Sequence, residues 1–201
     1  MFDINKEDLR KKSRLVAGGH VIDSTMYQSY SSVVQTRTVR ILETIAMNEG
    51  MDIVTGDISN AFEQAFTDEK IWSQCGKEFS VRENCAIQIR KVLYGLSTSA
   101  RQWSLAPGDL IRGMSFTTSH ANPDLWIRST DDNKTFEYIA SHVDDVIIVS
   151  ESPGKYIEIL KQHFPIRNIE INPTYYLGNE LQINDKRTIK VGMNKYITEV
   201  I

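Results

Sequence analysis

The spacing of apolar residues along this chain switches between the period of a helix and that of a strand. Helices are predicted where apolar residues recur at helical intervals, at 32–48, at 99–113, from Pro153 to His163 and from Asn194 onward. Ser31 or Ser32 can cap the first helix and Gly50 can end it. Pro107 lies inside the second helix and is expected to kink or break it, because proline has no backbone N–H to donate.

Short runs of β-branched and aromatic residues predict strands between these helices. They fall at 11–18, 51–58, 70–73, 86–92, 124–128, 135–143, 146–150, 175–183 and 188–193, and residues 59–67 are predicted to form a turn or short helix. Some neighbouring runs are joined by short polar stretches, which indicates hairpins and antiparallel pairing. Since helices and hairpins alternate irregularly, the sequence predicts a mixed α+β domain rather than a doubly wound parallel sheet.

Two of the predicted strand regions carry carboxylates. Asp144 and Asp145 interrupt the apolar run 142–149, and Asp57 lies at the end of the strand predicted at 51–58. Burying an ionised carboxylate is costly unless a cation or hydrogen bonds compensate it, so the acidic pair indicates a hairpin turn, a metal site, or both. If the fold brings Asp57 to the pair, the two segments could bind two divalent metal ions.

Composition and charge restrict the class of protein only loosely. The chain has 201 residues, of which 41% are hydrophobic and 24% charged, with a net charge of −3. That length suffices for one substantial core or two small subdomains. The negative charge does not match a protein whose whole surface binds nucleic acid, and the basic cluster at 10–14 is either a local phosphate-binding strip or a solvated strand edge.

The cysteines and the absence of long apolar runs bear on the cellular compartment. Cys75 and Cys85 form no metal-binding pattern, so reduced thiols in an intracellular protein are expected. No apolar run is long enough to span a bilayer and no targeting segment is visible at Met1. The sequence therefore predicts a soluble intracellular chain that does not engage a membrane.

Five groups of residues follow one another in the order of a known set of motifs. They are Arg14–Ala17 with Gly19 and His20; Gly56–Phe62; Leu93–Leu96 with Ser99, Arg101 and Trp103; His142–Asp145; and Tyr176–Gly178 with Glu180, Tyr196 and Ile197. In these segments the chain resembles the reverse transcriptase domain of copia-type long-terminal-repeat retrotransposon Pol polyproteins. An acidic pair alone would be weak support, whereas five motifs in order at suitable separations are specific.

The resemblance implies a fold and an activity. The expected fold is the palm of a right-hand polymerase, a ferredoxin-like antiparallel sheet with helices, with partial fingers and no thumb. Residues from about 1 to 50 would form the fingers-like part and 51–201 the palm and the start of the following segment. The expected activity is RNA-directed DNA synthesis, in which Asp57, Asp144 and Asp145 hold two Mg²⁺ ions, with Mn²⁺ as a substitute. Positioning and charge neutralisation would supply most of the catalysis.

The resemblance also assigns substrate contacts. Phe62 would stack under the sugar and exclude a ribonucleotide 2′-hydroxyl, with an ordinary core phenylalanine as the alternative. Lys12 and Arg14 would bind the triphosphate, and Gly95 would let the nucleotide or template approach the backbone. His142 and Arg101 would contact template or primer. The expected partners are an RNA or DNA template with its primer and deoxynucleoside triphosphates, in the cytoplasm or a virus-like particle.

Several positions depart from the family pattern. His142 stands in place of the usual tyrosine, Glu63 in place of an apolar residue, and Ser97 and Thr98 in place of a lysine–glutamine pair. These departures suggest a decayed copy, so a catalytically silent remnant that at most binds nucleic acid is the alternative prediction. A two-metal nuclease or another palm-like phosphotransferase is a third. Thumb, RNase H, protease and integrase regions are expected to lie outside this chain, so weak processive synthesis is predicted.

Overall fold

The chain folds as two compact units. The computed structural model describes residues 2–4, 11–13, 15–19, 29–184, 188–194 and 197–198. The first unit comprises Met1–Ser31 and Asn60–Ala106, and the second comprises Ser32–Ser59 and Pro107–Ile201. The second unit carries all three aspartates singled out from the sequence.

Helices and short strands alternate along the described part of the chain. The helices are α1 Thr36–Glu49, α2 Ala61–Gln64, α3 Ser99–Gly113 and α4 Gly154–His163. The strands are β1 Phe2–Ile4, β2 Lys11–Ser13, β3 Asp52–Ile58, β4 Phe66–Gln74, β5 Ala86–Lys91, β6 Thr117–Thr118, β7 Leu125–Ser129, β8 Phe136–His142, β9 Asp145–Ser150, β10 Ile166–Ile171, β11 Tyr175–Tyr176, β12 Asn179–Ile183 and β13 Ile189–Gly192. No helix in the described part of the chain is long and apolar enough to cross a membrane.

A six-stranded antiparallel sheet forms the centre of the second unit. Its strand order is β10-β3-β9-β8-β7-β6, so the two most apolar strands, β3 and β9, lie side by side near the middle. Ile147 and Val149 of β9 are fully buried, and they pack with Ile53 of β3 and with the apolar face of α1. A smaller antiparallel sheet, β11-β12-β13, adds Tyr176 and Leu181 to the same core.

A buried polar network fastens α4 to the sheet at the end of β9 that lies away from Asp145. Glu137 is 3% exposed and accepts hydrogen bonds from the Ser150 hydroxyl at 2.6 Å and from the Tyr156 hydroxyl. Lys155 adds an ion pair at 3.0 Å. Because these partners compensate the carboxylate, the pKa of Glu137 lies below its usual range even though burial alone would raise it.

The first unit contains a two-stranded ribbon, β4 with β5, and the short helix α2. The segment 15–19 approaches Tyr94, where Val16 forms an isolated parallel bridge and the Ala17 N–H donates to the Tyr94 carbonyl at 2.7 Å. Trp103 of α3 is 2% exposed and therefore packs inside the protein, as expected for a core residue.

The α+β prediction is confirmed, with corrections to individual elements. Helix α1 begins at Thr36 and not near residue 32, because the Val34 N–H donates to the Ser141 carbonyl of β8 at 3.2 Å and keeps the preceding segment out of the helix. Gly50 ends this helix in the left-handed conformation, as predicted. Helix α3 continues through Pro107, so of the predicted kink or break the break is wrong.

Two further predictions about strands also need correction. Among the described residues of the strand predicted at 11–18, strand structure is limited to β2 and the isolated bridge at Val16. The strand predicted at 175–183 is divided into β11 and β12 by Leu177 and Gly178, whose φ angles are 44° and 81°. Strand β10 was not predicted. Most of the helix expected from Asn194 onward lies outside the described residues.

Candidate active site

Antiparallel pairing brings Asp57 and Asp145 together. The register between β3 and β9 runs from Asp52 opposite Ser150 to Asp57 opposite Asp145 without interruption. Directly opposite residues of an antiparallel pair project from the same face with Cβ atoms about 4.5–5.5 Å apart. The two carboxylates, separated widely in the sequence, therefore share one face at one end of the sheet.

Asp144 lies in the tight turn that joins β8 to β9. His142 pairs with Asp145 across this hairpin, which leaves Val143 and Asp144 as the two turn residues. The Asp144 carbonyl accepts a hydrogen bond from the Ile58 N–H at 2.7 Å, so the turn is tied to the end of β3. The predicted hairpin around the acidic pair is confirmed, and it places all three aspartates at the same end of the sheet.

The turn holds Val143 in an unfavourable backbone conformation. Its φ angle is 58°, a region that β-branched residues rarely occupy and that costs roughly 1–3 kcal/mol. The adjoining strand β9 is almost completely buried from Val146 to Ser150, and its pairing with β3 and β8 holds the hairpin in register. The strain is therefore stored beside the acidic residues rather than released by a shift of the strands.

Burial and the neighbouring carboxylates together disfavour the ionised form of Asp145. Desolvation, followed by the charges of Asp144 and Asp57, raises the pKa of Asp145 to about 6, and His142 opposes this only in part. The His142 Nδ1 atom lies 3.2 Å from the Val34 carbonyl oxygen, which holds the ring beside the hairpin. A bound cation would relieve this repulsion.

The donor set suits a hard divalent cation that also binds substrate. In the described part of the chain, no three His, Cys, Asp or Glu side chains are arranged to hold a metal ion by themselves. Mg²⁺ usually takes only one or two protein carboxylates and completes its shell with substrate phosphates and water. The pairing of Asp57 with Asp145 fits that pattern of ligation, with Asp144 next to it in the chain.

A cavity of about 380 Å³ opens on the acidic face of the sheet. Residues from β3, β9, β10 and β11 line it: Thr55, Gly56, Asp57, Asp145, Asn168, Glu170, Tyr175, Tyr176, Leu177 and Gly178. The cavity is large enough for part of a nucleotide-sized ligand. It places Asp57 and Asp145 beside side chains that the sequence analysis did not identify, such as Asn168 and Glu170.

Strand β10 supplies the cavity residues that were missed. Arg167 pairs with Asp57 and Glu170 with Thr55, and the register shifts between them because Asn168 and Ile169 together oppose one residue of β3. Asn168 has a φ of 49°, which marks a β-bulge of the kind often found beside functional sites. The only signal in the sequence was an asparagine next to alternating polar and apolar residues, which is too weak to identify a strand.

Beneath the cavity, two polar groups are buried without partners. Tyr176 and Glu43 are 5% and 2% exposed. Among the described residues, neither the Tyr176 hydroxyl nor the Glu43 Oε2 atom has a hydrogen-bond partner. Burial raises the pKa of Glu43 to about 7, and burial with the charges of Asp145 and Glu43 raises the pKa of Tyr176. Burial therefore favours the neutral forms of both side chains.

Other residues suggested by the resemblance lie in the first unit. Phe62 of α2 contacts Tyr94 edge-to-face, with ring centroids 4.8 Å apart. Gly95 has a φ of 93°, and a Cβ atom there would lie 2.2 Å from the Ala17 carbonyl oxygen, so glycine is needed for packing within the chain itself. Arg101 is half-buried in α3. Their roles toward nucleotide or template stay predictions.

The two basic candidates near the beginning of the chain receive little further support. Lys12 lies in β2, paired with Asp3 of β1. Arg14 lies outside the described residues. Within the second unit, by contrast, the structure brings together Asp57, Asp144, Asp145 and His142.

A known family shares the sequence pattern of this chain along nearly its whole length. The sequence model of the family described as reverse transcriptase (RNA-dependent DNA polymerase) matches residues 2–201. The chain belongs to this family. The resemblance noted from the five motifs is thereby confirmed, and the chain is a reverse transcriptase domain of the retrotransposon type.

Pol polyproteins of plant transposons are relatives of this reverse transcriptase domain. The retrovirus-related Pol polyprotein from transposon RE1 of Arabidopsis thaliana is 29% identical over 178 residues, covering 85% of this chain and 12% of the relative. The Pol polyprotein from transposon TNT 1-94 of Nicotiana tabacum is 22% identical over 204 residues, covering 96% of this chain and 15% of the relative. The domain thus spans only a small part of the length of these relatives.

One solved structure resembles the reverse transcriptase domain distantly. A telomerase from Candida albicans, in complex with a fragment of telomeric RNA, has a TM-score of 0.39 and 14% identity, covering 84% of this chain and 36% of that chain. This likeness is too low to support an argument about the site.

Proposed function

We propose that this domain transfers deoxynucleotides to the 3′-hydroxyl of a primer under the direction of an RNA or DNA template. The observation that carries the proposal is the register that places Asp57 directly opposite Asp145. The hairpin turn at Asp144 and the adjoining cavity support it. Family membership makes nucleotidyl transfer the natural use for such an arrangement.

Asp57, Asp144 and Asp145 would hold two Mg²⁺ ions, for which Mn²⁺ can substitute. When bound, the ions would activate the primer hydroxyl and neutralise charge on the triphosphate. The raised pKa of Asp145 supports this assignment, because burial and, after it, the charges of Asp144 and Asp57 both disfavour an ionised carboxylate that has no cation beside it. The protein's own contribution is to fix the carboxylates in place, and the buried β3–β9 pairing does so.

The remaining contacts are assigned by resemblance and position. Phe62, whose ring is braced by Tyr94, would exclude a 2′-hydroxyl by steric contact. Lys12 and Arg14 would bind the triphosphate, and Gly95 would let the nucleotide or template approach the backbone closely.

His142 and Arg101 would contact primer and template. We also propose that the second unit is the palm of a right-hand polymerase and the first unit its fingers. The division of the chain supports this, although it assigns residues 60–106 to the first unit and not to the second.

A primer-extension assay with an RNA template tests the proposal. Asp57→Asn, Asp144→Asn and Asp145→Asn should each abolish extension while circular dichroism shows an intact fold. Asp52→Asn is the matched control, because Asp52 lies at the other end of the same strand and is exposed. It should retain activity. Extension by Asp57→Asn at the parent rate would refute the proposal.

The alternative, a silent remnant, is favoured by one observation of its own. Within the described part of the chain, the Oε2 atom of Glu43 is buried in the core without a hydrogen-bond partner, a feature that costs stability. No extension by the parent protein with either Mg²⁺ or Mn²⁺, together with retained binding of a labelled primer–template, would support this alternative.

A further inference from the structure

The two cysteines of the chain lie opposite each other on the β4–β5 ribbon. The sequence contains only Cys75 and Cys85. The Cys75 N–H donates to the Cys85 carbonyl at 2.9 Å, and the Asn84 N–H donates to the Cys75 carbonyl at 2.8 Å. The first bond follows directly on the pair of Gln74 with Ala86, whereas the second, together with the φ of 65° at Asn84, marks a bulge in which Asn84 and Cys85 both oppose Cys75. The backbone therefore places the two cysteines of the chain across from each other on neighbouring segments.

The register also puts both thiols on one face of the ribbon. Ile71 pairs with Ile89 and Ser73 with Ile87, and continuing this alternation by two residues brings Cys75 opposite Cys85, where the bulge at Asn84 begins. Opposite residues of an antiparallel ladder have Cα atoms about 4.5–5.5 Å apart. Disulfides span Cα separations of about 4.4–6.8 Å, so the backbone is already within range of a bond.

The two thiols differ in access to solvent. Cys75 is 1% exposed, whereas Cys85 is exposed, and both are free thiols. An oxidant in solution can therefore reach Cys85 first, and Cys75 can resolve the product from within. This division between an accessible and a resolving thiol is typical of redox-responsive pairs.

We propose that Cys75 and Cys85 form a reversible intramolecular disulfide when the protein meets a low-molecular-weight disulfide such as glutathione disulfide. The Cys85 thiolate attacks one sulfur of glutathione disulfide, which forms a mixed disulfide and expels one glutathione thiolate. The Cys75 thiolate then attacks Cys85 Sγ, which forms the protein disulfide and expels the second glutathione. The two thiol protons end on the two glutathione molecules.

The cross-link would close the tip of the ribbon. Residues 76–84 form this tip, in which Ser80 has a φ of 52° and Val81 is 96% exposed. With both ends joined, the tip cannot open without breaking the disulfide. Reducing compartments keep such bonds transient, so the dithiol expected from the sequence is the resting state and oxidation the response. The proposal does not depend on polymerase activity.

Intact-mass spectrometry and peptide mapping test the proposal. The native full chain is treated with glutathione disulfide, quenched and alkylated. The expected product has lost two hydrogen atoms and carries neither glutathione nor alkyl group. Trypsin cleaves after Lys77 and Arg82, so the peptides 71–77 and 83–90 should remain joined until a reductant is added.

Variants separate the proposed order of events from simple proximity. Cys75→Ala, and Cys75→Ser as a second variant, should stop at a glutathione adduct on Cys85. Cys85→Ser should remain unmodified, because Cys75 is buried. Cys85→Ser combined with Ala86→Cys moves the thiol to the opposite face of the ribbon and should also stop at an adduct. A stable adduct on the parent protein, disulfide-linked dimers, or a disulfide in the displaced variant would overturn the proposal.

Discussion

The buried carboxyl group of Glu43 makes a quantitative prediction about stability and pH. Glu43 lies on the core side of α1 and is 2% exposed. Burial raises its pKa from 4.5 to about 7, and Arg40 offsets this only in part. Since one pKa unit corresponds to about 1.4 kcal/mol, the ionised form costs the folded state about 3 kcal/mol relative to an exposed glutamate.

The sign of the effect follows from the raised pKa. Below about pH 4.5 the Glu43 carboxyl group is protonated in both the folded and the unfolded states, so no charge is buried and stability is not reduced. As the pH rises toward about 7, only the unfolded state loses its proton freely, so the free energy of unfolding falls. Above that range Glu43 must ionise inside the core, and the full penalty of about 3 kcal/mol applies.

Glu43→Gln should remove this pH dependence. Urea unfolding, followed by the fluorescence of buried Trp126, should show the variant more stable than the parent by up to about 3 kcal/mol at pH 8. At pH 4.5 the two should agree within about 0.5 kcal/mol. Contributions common to both proteins, including that of Asp145, cancel in the difference.

Glu49→Gln is the matched control, because Glu49 is exposed on the same helix. It should change stability by less than about 0.5 kcal/mol at either pH. The reasoning would be refuted if the parent and Glu43→Gln showed the same pH dependence, or if the gain in stability were larger at acid pH than at pH 8.

Three further predictions concern the site and its supporting backbone. The pKa of Asp145 is raised to about 6, so below that pH a proton competes with a bound cation for this carboxylate. Titration calorimetry should therefore show that the affinity for Mn²⁺ falls steeply below pH 6, and equal affinity at pH 5 and pH 7.5 would contradict this. Val143→Gly should release backbone strain and stabilise the protein by about 1 kcal/mol in thermal unfolding, and a lower melting temperature would count against stored strain. Gly95→Ala should lower the free energy of unfolding by about 3 kcal/mol, because the added Cβ would meet the Ala17 carbonyl. Gly178→Ala should lower it by only about 1 kcal/mol, because φ is 81° there but no atom lies within 4 Å of the added Cβ. Equal losses would show that the approach to the Ala17 carbonyl is unimportant.

Strongly patterned segments were predictable from the sequence. Strand β9 begins at Asp145 and continues as an apolar run, β3 carries Asp57 beside its last residue, and the hairpin between β8 and β9 has a short turn. If two hydrophobic strands pair near the middle of a sheet, their carboxylates are favoured at the strand ends, where they are less buried. The proximity of Asp57 to Asp145 could therefore be predicted. Their pairing residue by residue required the register, which the sequence alone does not specify.

Weakly patterned segments were not predictable, for identifiable reasons. Strand β10 is mostly exposed and contains a bulge, so neither a buried apolar run nor a regular alternation marks it. Ser31 and Ser32 resemble helix caps, yet a backbone hydrogen bond from Val34 to β8 delays the start of α1. As a result, the sequence identified the acidic pair but missed Asn168 and Glu170, which line the same cavity.

The two-residue turn between β8 and β9 makes chain length, as well as residue type, a requirement at this site. One residue added at Val143 or Asp144 would reverse the alternation of every later position in β9. Ile147 and Val149 would then leave the core contacted by α1, and the carboxylate facing Asp57 would turn to the other side of the sheet. Gene copies that retain Asp144 and Asp145 but differ in the length of this turn are therefore expected to be inactive. A substitution at Val143 changes the side chain but leaves this spacing intact.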